Sequence, residues 1–561
     1  MNEEVPNSQR NILIFLVACA VLFAVGQQFL PVPAPAPAPA PANQAAAAAG
    51  GTGAAAAAPA APAIAPGASA ASVAQPAVLT TPQLMTTDST TYTFTNLGGR
   101  VSKIALTKPA QWATDETGIG VFPSGASKTL SEGLLIPSIP ELKEDSVYEL
   151  VNSLSQSNGS GFDRLVYRWN SPDGRWQVVK KFEPDARAFG LKLEVEVVNR
   201  TATEQKLSSV DVVVAGLESE SGGSFMGSDA AVVEGLCVGQ EETERSAAKG
   251  LDETISLASK VSFGGLDEQY FLHSVAATTE SGAAAELSRC SFGPTMDGVL
   301  KSTVSTGPLT VAANGIARAH FSVYAGPKTE QFLGAYPHGL KGSINLGWFS
   351  FLAVPIRWTL VFFHGWVNNW GLAIILLTIA IKVLLYMPTA KSMRSMEKLR
   401  EIQPKIAELQ KLYANDQMKL AEAQMKLFKD AGTSPFGGCL PTLLQMPIYI
   451  ALYRTVWGSA ELYRADFMFW VTDLSKRDPY FALPVLMGVM MFAQARLTPQ
   501  AVDNPQMKMM QNVMPFLFTA MMLFLPSGLV LYIVVNTVLS IAQQMWIKRE
   551  MEIEKTSLSK S

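Results

Sequence analysis

A single lysine inside a long apolar run is the first candidate for chemistry. The run Gly371–Pro388 contains Lys382 and no acidic residue. A charge at bilayer depth costs about 2.5–3.5 kcal/mol on insertion scales, so it needs a route to water or a role. Lys382 lies six residues before Pro388, roughly 9 Å along a helix, and a lysine this close to the end of a span can snorkel. Local physics leaves two interpretations open: a snorkelling lysine, or a cation that lines a wet cavity.

Polar side chains in the same run and in later apolar runs are candidates for the same cavity. Thr378 lies one helical turn before Lys382, and Gln445 and Asn536 lie in two later runs. Hydrogen bonds between membrane helices, worth perhaps 0.6 kcal/mol each, explain any one of these residues. Together with Lys382 they could instead line a hydrophilic groove, and both interpretations stay open.

Residues that could carry catalysis or bind a metal are scattered through the sequence. The four cysteines form no CxxC pair and no metal-binding spacing, and a disulfide between Cys237 and Cys290 cannot be read from the sequence. His273, His320 and His338 are far apart and accompany no nucleophile motif. No phosphate-binding loop is present either. The sequence therefore predicts a protein that is not an enzyme, with no catalytic residue, no metal site and no cofactor.

Composition is that of a membrane protein with a polar domain. Of the 561 residues, 48% are hydrophobic and 16% are charged; soluble domains usually have about 25% charged residues. The apolar residues concentrate in one run near the N-terminus and in several runs after Trp348. A net charge of −3 gives no basic surface, so no direct sequence-specific binding of nucleic acid is expected.

The N-terminal segments predict a membrane anchor followed by a tether. Residues 1–30 contain an apolar stretch of about 19 residues, close to the ~20 that cross a bilayer. A cleaved signal peptide and a lipoprotein signal at Cys19 are the alternatives, but the chain stays apolar after that cysteine and basic residues are scarce before it. Residues 31–78 are nearly all Ala and Pro and favour extended polyproline II structure. The next domain is therefore expected outside the membrane.

Residues 79–336 predict one large β-domain. Apolar and polar side chains alternate in runs such as Thr91–Thr95, Trp176–Phe182 and Leu191–Val198, which are separated by Gly, Pro, Asn and Asp clusters. This pattern is typical of half-buried antiparallel strands, and the length of the region indicates a β-sandwich. A structural or docking module is the favoured interpretation, and a membrane-anchored binding domain for sugars is the alternative.

The remaining sequence predicts a polytopic α-helical membrane protein. Residues 337–370 are rich in tryptophan and predict an interfacial amphipathic helix. Residues 371–388 predict the second transmembrane span, residues 435–547 predict spans three to six, and residues 548–561 form a short charged tail. A transporter or channel is the competing class, but the sequence has no inverted repeat with paired charges at the bilayer midplane.

Residues 389–434 predict a cytoplasmic helical hairpin. The segment Lys391–Asp430 carries nine basic residues, and the most basic loop between spans belongs in the cytoplasm. Its apolar residues recur at steps of three and four, which predicts two amphipathic helices joined by a turn. Pro404 is expected to bend the first helix. With six spans, both termini face the cytoplasm and the β-domain lies across the membrane.

Several long motifs resemble one protein family. The runs Ser434–Ile448 and Leu525–Tyr532 closely resemble the Oxa/YidC/Alb family of membrane protein insertases. Glu401–Lys405 and Asp478–Gly488 are similar to family motifs too, and Asp267–Phe271 is similar to the Gram-negative members. The resemblance is strong from Tyr324 to Trp546 and extends, more weakly, through the β-domain.

This resemblance implies a fold, a location and a function. It implies a five-helix insertase core in a Gram-negative bacterial inner membrane, with a periplasmic β-sandwich domain. Nascent membrane proteins would pass from the cytoplasm into the membrane through a hydrophilic groove, alone or with the Sec translocon, and would receive help in folding. Lys382 stands where many relatives have arginine, so the positive charge is kept but the bidentate fork of a guanidinium is lost.

The resemblance also implies roles for individual residues. Residues expected to line the hydrophilic groove are Lys382, Thr378, Gln445 and Asn536. Residues expected to contact the substrate helix as it slides along the third and fifth spans into lipid are Pro441, Met446, Pro515 and Met521. The hairpin would receive the substrate, or the ribosome and signal-recognition targeting components, and its candidate residues are Lys398, Arg400, Pro404 and Lys405.

Overall fold

The structure is a computed structural model of the chain. It describes residues 77–79, 81–114, 119–124, 129–155, 162–217, 232–247, 251, 253–294, 298–413, 416–432, 440–497 and 505–558. The predicted anchor of residues 1–30, and all but the last two residues of the predicted tether, lie outside these described residues.

Strands dominate the described residues between Gln83 and Pro327. In chain order they are β1 (Gln83–Thr86), β2 (Thr90–Thr95), β3 (Arg100–Leu106), β4 (Gly133–Leu135), β5 (Glu149–Ser155), β6 (Phe162–Asn170), β7 (Trp176–Pro184), β8 (Gly190–Asn199), β9 (Gln205–Leu207), β10 (Asp211–Leu217), β11 (Glu234–Gly239), β12 (Thr243–Ala247), β13 (Ile255–Asp267), β14 (Phe271–Thr278), β15 (Leu287–Pro294), β16 (Val299–Ser305), β17 (Leu309–Val311) and β18 (Ile316–Pro327).

The strands form three antiparallel sheets. A 13-stranded sheet has the order β4-β10-β16-β15-β13-β14-β18-β8-β7-β6-β5, with β11 joined to β13 and β12 joined to β11. A three-stranded sheet, β1-β2-β3, and a two-stranded sheet, β17-β9, complete the domain. The prediction of a large antiparallel β-domain is therefore confirmed.

Strands β7 and β8 illustrate why the alternating pattern folds this way. Every second side chain of β7 is buried, including Val178 and Phe182, because successive residues of a strand point to opposite faces. On the other face, Lys181 lies opposite Glu194 of β8 and forms ion pairs of 3.3 Å with Glu194 and 2.9 Å with Glu196. Such cross-strand pairs fix the register of the two strands.

A disulfide joins β11 to β15. Cys237 and Cys290 are bonded, and both are fully buried. Strand β13 pairs with both β11 and β15, and Gly264 of β13 leaves room for the bridge because a Cβ at that position would collide with Cys290 Sγ. The question that the sequence left open is answered by a closed disulfide.

Helices follow the β-domain. They are α1 (Ser350–Val367), α2 (Trp370–Leu384), α3 (Tyr386–Leu412), α4 (Gln417–Asp430), α5 (Leu440–Gly458), α6 (Ala482–Leu497), α7 (Pro505–Met522) and α8 (Ser527–Leu558), and a single helical turn, Glu330–Leu333, precedes them. Helix α1 lies within the region predicted as an interfacial helix, and α3 and α4 form the two arms expected of the hairpin.

By length and composition, the described residues contain fewer candidate membrane spans than the five that the sequence predicts for them. In the described residues, Ser350–Val367 and Ser527–Glu554 are long and apolar enough to cross a membrane, and α2 with α3 adds a third candidate if they form one bent span. The helices Ala482–Leu497 and Asn512–Met522 are apolar but shorter. Six spans are therefore not confirmed, although α2, α5, α6, α7 and α8 cover the five later apolar runs.

The chain bends sharply between α2 and α3. Helix α2 ends at Leu384, and α3 begins at Tyr386 with its axis turned by 66°. The sequence predicted a run that continues to Pro388. That proline is instead the third residue of α3, where its missing N–H costs no intrahelical hydrogen bond. Pro404 lies inside α3, which continues as a helix to Leu412.

Candidate functional site

Helix α8 is the element that gathers the polar residues of the helical region. It packs against α2, α3, α5 and α6. Tyr532, Asn536, Ser540 and Gln544 follow one another at intervals of four residues, which places them along one face of the helix. All four are buried, so this polar face points into the helical bundle.

Lys382 meets this polar face of α8. Its Nζ donates a hydrogen bond of 2.7 Å to Ser540 Oγ, and Ser540 Oγ donates one of 2.8 Å to the Asn536 carbonyl oxygen. The side chain of Lys382 is partly buried. Among the described residues, no carboxylate forms an ion pair with Lys382, and the partner that holds its ammonium is a neutral hydroxyl. The cation is positioned by the fold but not neutralised by it.

The other predicted groove residues lie nearby with partners of their own. Gln445 of α5 donates to the Tyr532 hydroxyl at 2.5 Å, and Asn536 Nδ2 donates to the Tyr449 hydroxyl at 2.8 Å. The Asn536 Oδ1 atom is buried and accepts no hydrogen bond from the residues that the structure describes. Thr378 is fully buried and donates to the Ile374 carbonyl of its own helix at 2.7 Å. Lys382 and Asn536 are thus connected through Ser540, whereas Thr378 does not join them.

The predicted substrate-contact residues differ in exposure. Met446 on α5 is 50% exposed, Met521 on α7 is partly buried against the helical core, and Pro515 is buried. The side chain of Pro441 lies outside the described part of the structure. On α7 it is Phe516 and neighbouring residues, rather than Pro515, that present the exposed apolar surface.

The hairpin presents its predicted contact residues outward. Its two arms pack through Leu399, Ile402 and Ile406 of α3 and Phe428 of α4. The candidate contact residues lie on the exposed side of α3, and they are Lys398, Arg400, Pro404 and Lys405. At the base of the hairpin, Arg394 holds Glu550 of α8 through two contacts of 3.0 Å.

Three side chains of the site were not identified from the sequence as hydrogen-bond partners of the candidate groove residues. Ser540 holds the Lys382 ammonium, and Tyr449 and Tyr532 bind the amides of Asn536 and Gln445. The four-residue spacing along α8 was a usable signal, because it places polar groups on one helix face. Tyr449 carried no such signal, since a tyrosine in an apolar run equally fits the lipid boundary.

The opposite end of the helical region touches the β-domain through the connection between α5 and α6, which we call the 459–481 segment. The indole N–H of Trp112 donates to the Ala460 carbonyl at 3.0 Å, and Gln111 Nε2 donates to the Tyr463 carbonyl at 2.7 Å. The ring of Tyr463 packs against Phe271 of the β-domain, with centroids 5.3 Å apart. The 459–481 segment therefore lies on the same side of the molecule as the β-domain.

Further helix ends meet the 459–481 segment. Asn369, which caps the start of α2, donates to the Phe467 carbonyl at 3.0 Å. At the start of α8, the N–H of Ser527 donates to the Lys476 carbonyl at 2.7 Å. The first residues of α2, α6 and α8 and the last residue of α5 thus lie at one end of the bundle, and Lys382 lies near the far end of α2.

Both the β-domain and the helical region match known protein families. Residues 84–359 match the family described as the YidC periplasmic domain, and residues 362–555 match the family described as the 60Kd inner membrane protein. The membrane protein insertase YidC of Saccharophagus degradans (strain 2-40 / ATCC 43961 / DSM 17024) is 34% identical over 492 residues, which cover 86% of this chain and 87% of that protein. The chain belongs to the YidC family of membrane protein insertases.

A second relative agrees with this membership. The membrane protein insertase YidC of Anaeromyxobacter sp. (strain Fw109-5) is 39% identical over 387 residues, or 67% of this chain and 68% of that one. A crystal structure of an active YidC insertase with its first transmembrane domain resolved aligns with 83% of this chain and 93% of its own, at 19% identity and a TM-score of 0.37.

The family sets what this insertase does and where it does it. It is an inner-membrane protein with a periplasmic β-domain, and it inserts membrane proteins rather than catalysing a reaction. The predicted family and the predicted non-enzymatic function are confirmed. The transporter, channel and sugar-binding alternatives are set aside.

Proposed function

We propose that this insertase uses Lys382 as an uncompensated cation that transiently attracts acidic or polar segments of nascent membrane proteins. The observation that carries the proposal is the hydrogen bond of 2.7 Å from Lys382 Nζ to the neutral Ser540 hydroxyl. An ammonium held by a hydroxyl keeps its full charge and two further donors. In a site of low dielectric that charge attracts a carboxylate more strongly than it would in water.

The polar face of α8 extends the proposal to a hydrophilic groove. Asn536 of α8 and Gln445, which donates from α5 to Tyr532 of α8, continue the polar path from Lys382. Asn536 Oδ1 accepts no hydrogen bond from the described residues, and water or a substrate amide would satisfy it. Thr378 lies on the same helix as Lys382, and we place it at the wall of the groove. Groove water would lower the cost of carrying a hydrophilic segment across the bilayer.

The apolar helix of the substrate then leaves the groove for lipid. We propose that it slides between α5 and α7, the third and fifth spans, past Pro441, Met446, Pro515 and Met521. The exposed side chains of Met446 and Phe516 support this route, because they offer apolar surface that no other part of the described chain covers. Burial of the substrate helix in lipid supplies the drive, and no nucleotide is consumed.

We further propose six spans with both termini in the cytoplasm. The contacts of the 459–481 segment with the periplasmic β-domain support this topology, because the same segment adjoins the starts of α2, α6 and α8. Helices α2, α5, α6, α7 and α8 then alternate in direction as spans two to six. Helix α1 would lie in the periplasmic membrane surface, with Trp358 and Trp366 exposed and Arg357 paired with Glu461 at 2.6 Å.

The helical hairpin is the proposed contact surface for partners. The exposed residues Lys398, Arg400, Pro404 and Lys405 suit a surface that receives the nascent chain, the ribosome or the signal-recognition targeting components. We propose that the insertase works both alone and beside the Sec translocon, and that it also helps its substrates to fold.

A charge series at Lys382 tests the mechanism. Insertion of two substrates that differ only in an acidic or neutral translocated segment is measured in cells depleted of the native protein. Lys382→Glu should slow insertion of the acidic substrate by about tenfold or more, the equivalent of about 1.4 kcal/mol, because attraction becomes repulsion. Lys382→Ala should be intermediate, and Lys382→Arg should retain function.

The matched control for this series is Lys548→Glu. Lys548 also lies toward the cytoplasmic end of a helix, α8, but its side chain is 41% exposed and lies 4.0 Å from Glu552. The control variant should insert both substrates normally. Normal insertion of the acidic substrate by Lys382→Glu would remove the groove-charge mechanism and leave Lys382 as a snorkelling residue.

A further inference from the structure

The 459–481 segment exposes a group of apolar side chains at the periplasmic end of the bundle. Met468, Phe469 and Trp470 form one exposed run, and Tyr480 and Phe481 form a second. Phe469 is 87% exposed, so almost none of its ring is used inside the fold. Exposed apolar groups of this kind mark surfaces that contact another molecule or a membrane.

The backbone holds two of these rings in an unfavourable conformation. Phe469 has φ = 57° and Phe481 has φ = 55°, both in the left-handed region. A bulky side chain is disfavoured in this region, whereas glycine or asparagine would fit more easily. The ring of Phe469 gains little within the fold, so a contact outside the fold is the better account of a phenylalanine at this position.

The acidic groups of the segment are largely occupied within it. Asp473 Oδ1 accepts hydrogen bonds from the N–H groups of Arg464 and Ser475, and Asp478 accepts from the N–H groups of Tyr480 and Leu483. Glu461 is paired with Arg357. The charge of Glu461 is thus neutralised by a cation, and carboxylate oxygens of Asp473 and Asp478 are engaged by backbone N–H groups of the fold.

Two cations of the same segment face outward. Lys476 and Arg477 are both exposed, and with Pro479 and Phe481 they line an open cleft of about 450 Å³. Asp466 is the exposed acid of the segment. An exposed cationic pair beside exposed aromatic rings is complementary to an anionic phospholipid, whose phosphate and acyl chains adjoin in the same way.

The segment lies at the level where a bilayer surface is expected. Phe467 packs so closely over Gly371, at the start of α2, that a Cβ on that glycine would collide with the ring. The carbonyls of Leu474 and Lys476 accept hydrogen bonds from the first residues of α8, at 2.9 and 2.7 Å. Aromatic side chains concentrate at the membrane–water boundary, which is where the first residues of spanning helices lie.

We propose that the 459–481 segment is a lipid-binding site in the periplasmic leaflet. Its exposed apolar side chains insert between acyl chains, and Lys476 and Arg477 bind the phosphate of an anionic phospholipid. The site goes beyond the groove mechanism and does not depend on Lys382. It depends on the periplasmic position of the segment, which its contacts with the β-domain support.

Quenching by brominated lipids tests both halves of the proposal on the full chain in lipid nanodiscs. In a background with Cys19→Ser and Cys439→Ser, a fluorescent probe is attached at Phe469→Cys or, as control, at Ser281→Cys on an exposed turn of the β-domain. All discs contain the same mixture of phosphatidylglycerol and phosphatidylcholine in equal shares. In one set the phosphatidylglycerol is brominated, and in the other set the phosphatidylcholine is brominated. The probe at position 469 should be quenched, and the probe at position 281 should not. An unquenched probe at 469 would mean that the rings face water or a protein partner, and would overturn the proposal.

The role of the two cations is tested by comparing how strongly each of the two brominated lipids quenches the probe. Quenching at position 469 by phosphatidylglycerol should exceed quenching by an equal share of phosphatidylcholine by roughly twofold or more. Lys476→Gln with Arg477→Gln should bring this ratio to about one, since both cations are lost. Lys143→Gln with Lys206→Gln, which removes two exposed charges from the β-domain, should leave the ratio unchanged.

Two further outcomes decide against the headgroup site. A ratio that survives Lys476→Gln with Arg477→Gln would show that these cations do not bind the lipid. A ratio that falls to about one on addition of inorganic phosphate at constant ionic strength would identify a general anion site instead of a lipid site. Insertion of the neutral substrate by each double variant confirms that the protein is folded.

Discussion

The β-domain and the helical region each hold a lysine away from bulk water, and the two lysines are treated differently. Lys180 of the β-domain is fully buried and donates to the carbonyls of Glu132 at 2.5 Å and Gly98 at 3.2 Å. The rings of Tyr148 and Phe182 lie 5.8 and 5.4 Å from its ammonium. Lys382 of the helical region is only partly buried and has one hydroxyl partner. Lys180 is enclosed by the fold, whereas the ammonium of Lys382 remains available to contact a substrate.

The two regions also differ in how they use other side chains: the β-domain pairs buried charges with each other, and the helical region leaves apolar groups exposed. In the β-domain, Asp267 contacts Arg245 and lies 2.8 Å from Lys328, and Glu132 lies 2.8 Å from His273, with all of these side chains largely or fully buried. In the helical region, apolar side chains such as Phe516 stay exposed. The β-domain uses its charges for internal stability, whereas the helical region leaves charge and apolar surface for a substrate and for lipid. Changes in the first region should therefore alter stability, and changes in the second should alter insertion.

The largest stability loss is expected from Asp267→Ala. The change leaves Arg245 and Lys328 buried without their shared carboxylate, and breaking a buried ion pair in this way costs about 3–5 kcal/mol. Urea unfolding of the β-domain in the full chain, followed by pulse proteolysis in detergent micelles, measures the loss. Asp163→Ala removes an exposed acid from β6 and should cost little. Equal losses in the two variants would contradict the assignment of Asp267 as an internal counter-ion.

A somewhat smaller loss is expected from opening the disulfide. The bridge between Cys237 and Cys290 closes a loop with a sequence separation of 53, and removal of such a bridge typically costs about 2–4 kcal/mol. Cys237→Ala with Cys290→Ala should lower the unfolding midpoint of the β-domain in the same assay. A reductant should lower the midpoint of the parent protein to a similar level and leave that of the double variant unchanged. Insertion at a temperature where the β-domain stays folded should not change.

The enclosure of Lys180 predicts a pH-dependent stability. The pKa of Lys180 is lowered to about 7, mainly by burial and to a smaller extent by Arg100, while Glu132 opposes the shift. An unfolded lysine has a pKa near ~10.4 and keeps its proton to a higher pH than the folded one. The unfolding free energy should therefore rise between pH 7 and pH 9, by at most about 1.4 kcal/mol per pH unit. Below that window Lys180 is protonated in both states, so it should add no pH dependence to the unfolding free energy.

Two variants isolate the contribution of Lys180 to this slope. Lys180→Met removes the titrating group, so its unfolding free energy should lack that share of the rise with pH. Lys192→Met changes an exposed lysine of β8 and keeps Lys180, so its slope should match that of the parent protein. Matching slopes in the parent protein and Lys180→Met would show that Lys180 reaches water in the folded state, and the contrast between the two lysines would fail.

Local features of both regions could be predicted from the sequence, and long-range ones could not. The alternation in β7 and β8 is a property of neighbouring residues, so the strands were predictable. The pairing of β4 with β10 and the disulfide depend on residues far apart in the chain, which no local pattern encodes. The break at Leu385 was missed because the nearest helix-breaking residue, Pro388, lies in the first turn of the next helix.

In the candidate site, too, local features could be predicted and long-range contacts could not. Lys382 was identified because a charge in an apolar run is costly wherever it lies. Its partner Ser540 is 158 residues away, and only the four-residue spacing of polar side chains on α8 hinted that this face is shared. The exposure of Met446 and the burial of Pro515 depend on how the helices pack, which hydropathy along one run does not determine.

The smallest effect is expected from Ser540→Ala, and it separates the two roles that this contact combines. The change removes the hydroxyl that positions the Lys382 ammonium but leaves the charge in place, and hydrogen bonds between membrane helices average about 0.6 kcal/mol. Insertion of the acidic substrate should therefore fall by about threefold at most, far less than with Lys382→Glu. Thr537→Ala, whose hydroxyl bonds only to the Ile533 carbonyl among the described residues, is the matched control on α8 and should leave insertion unchanged. If Ser540→Ala were as damaging as Lys382→Glu, the position of the ammonium would matter as much as its charge, and Lys382 would have to be regarded as a fixed part of the fold, as Lys180 is.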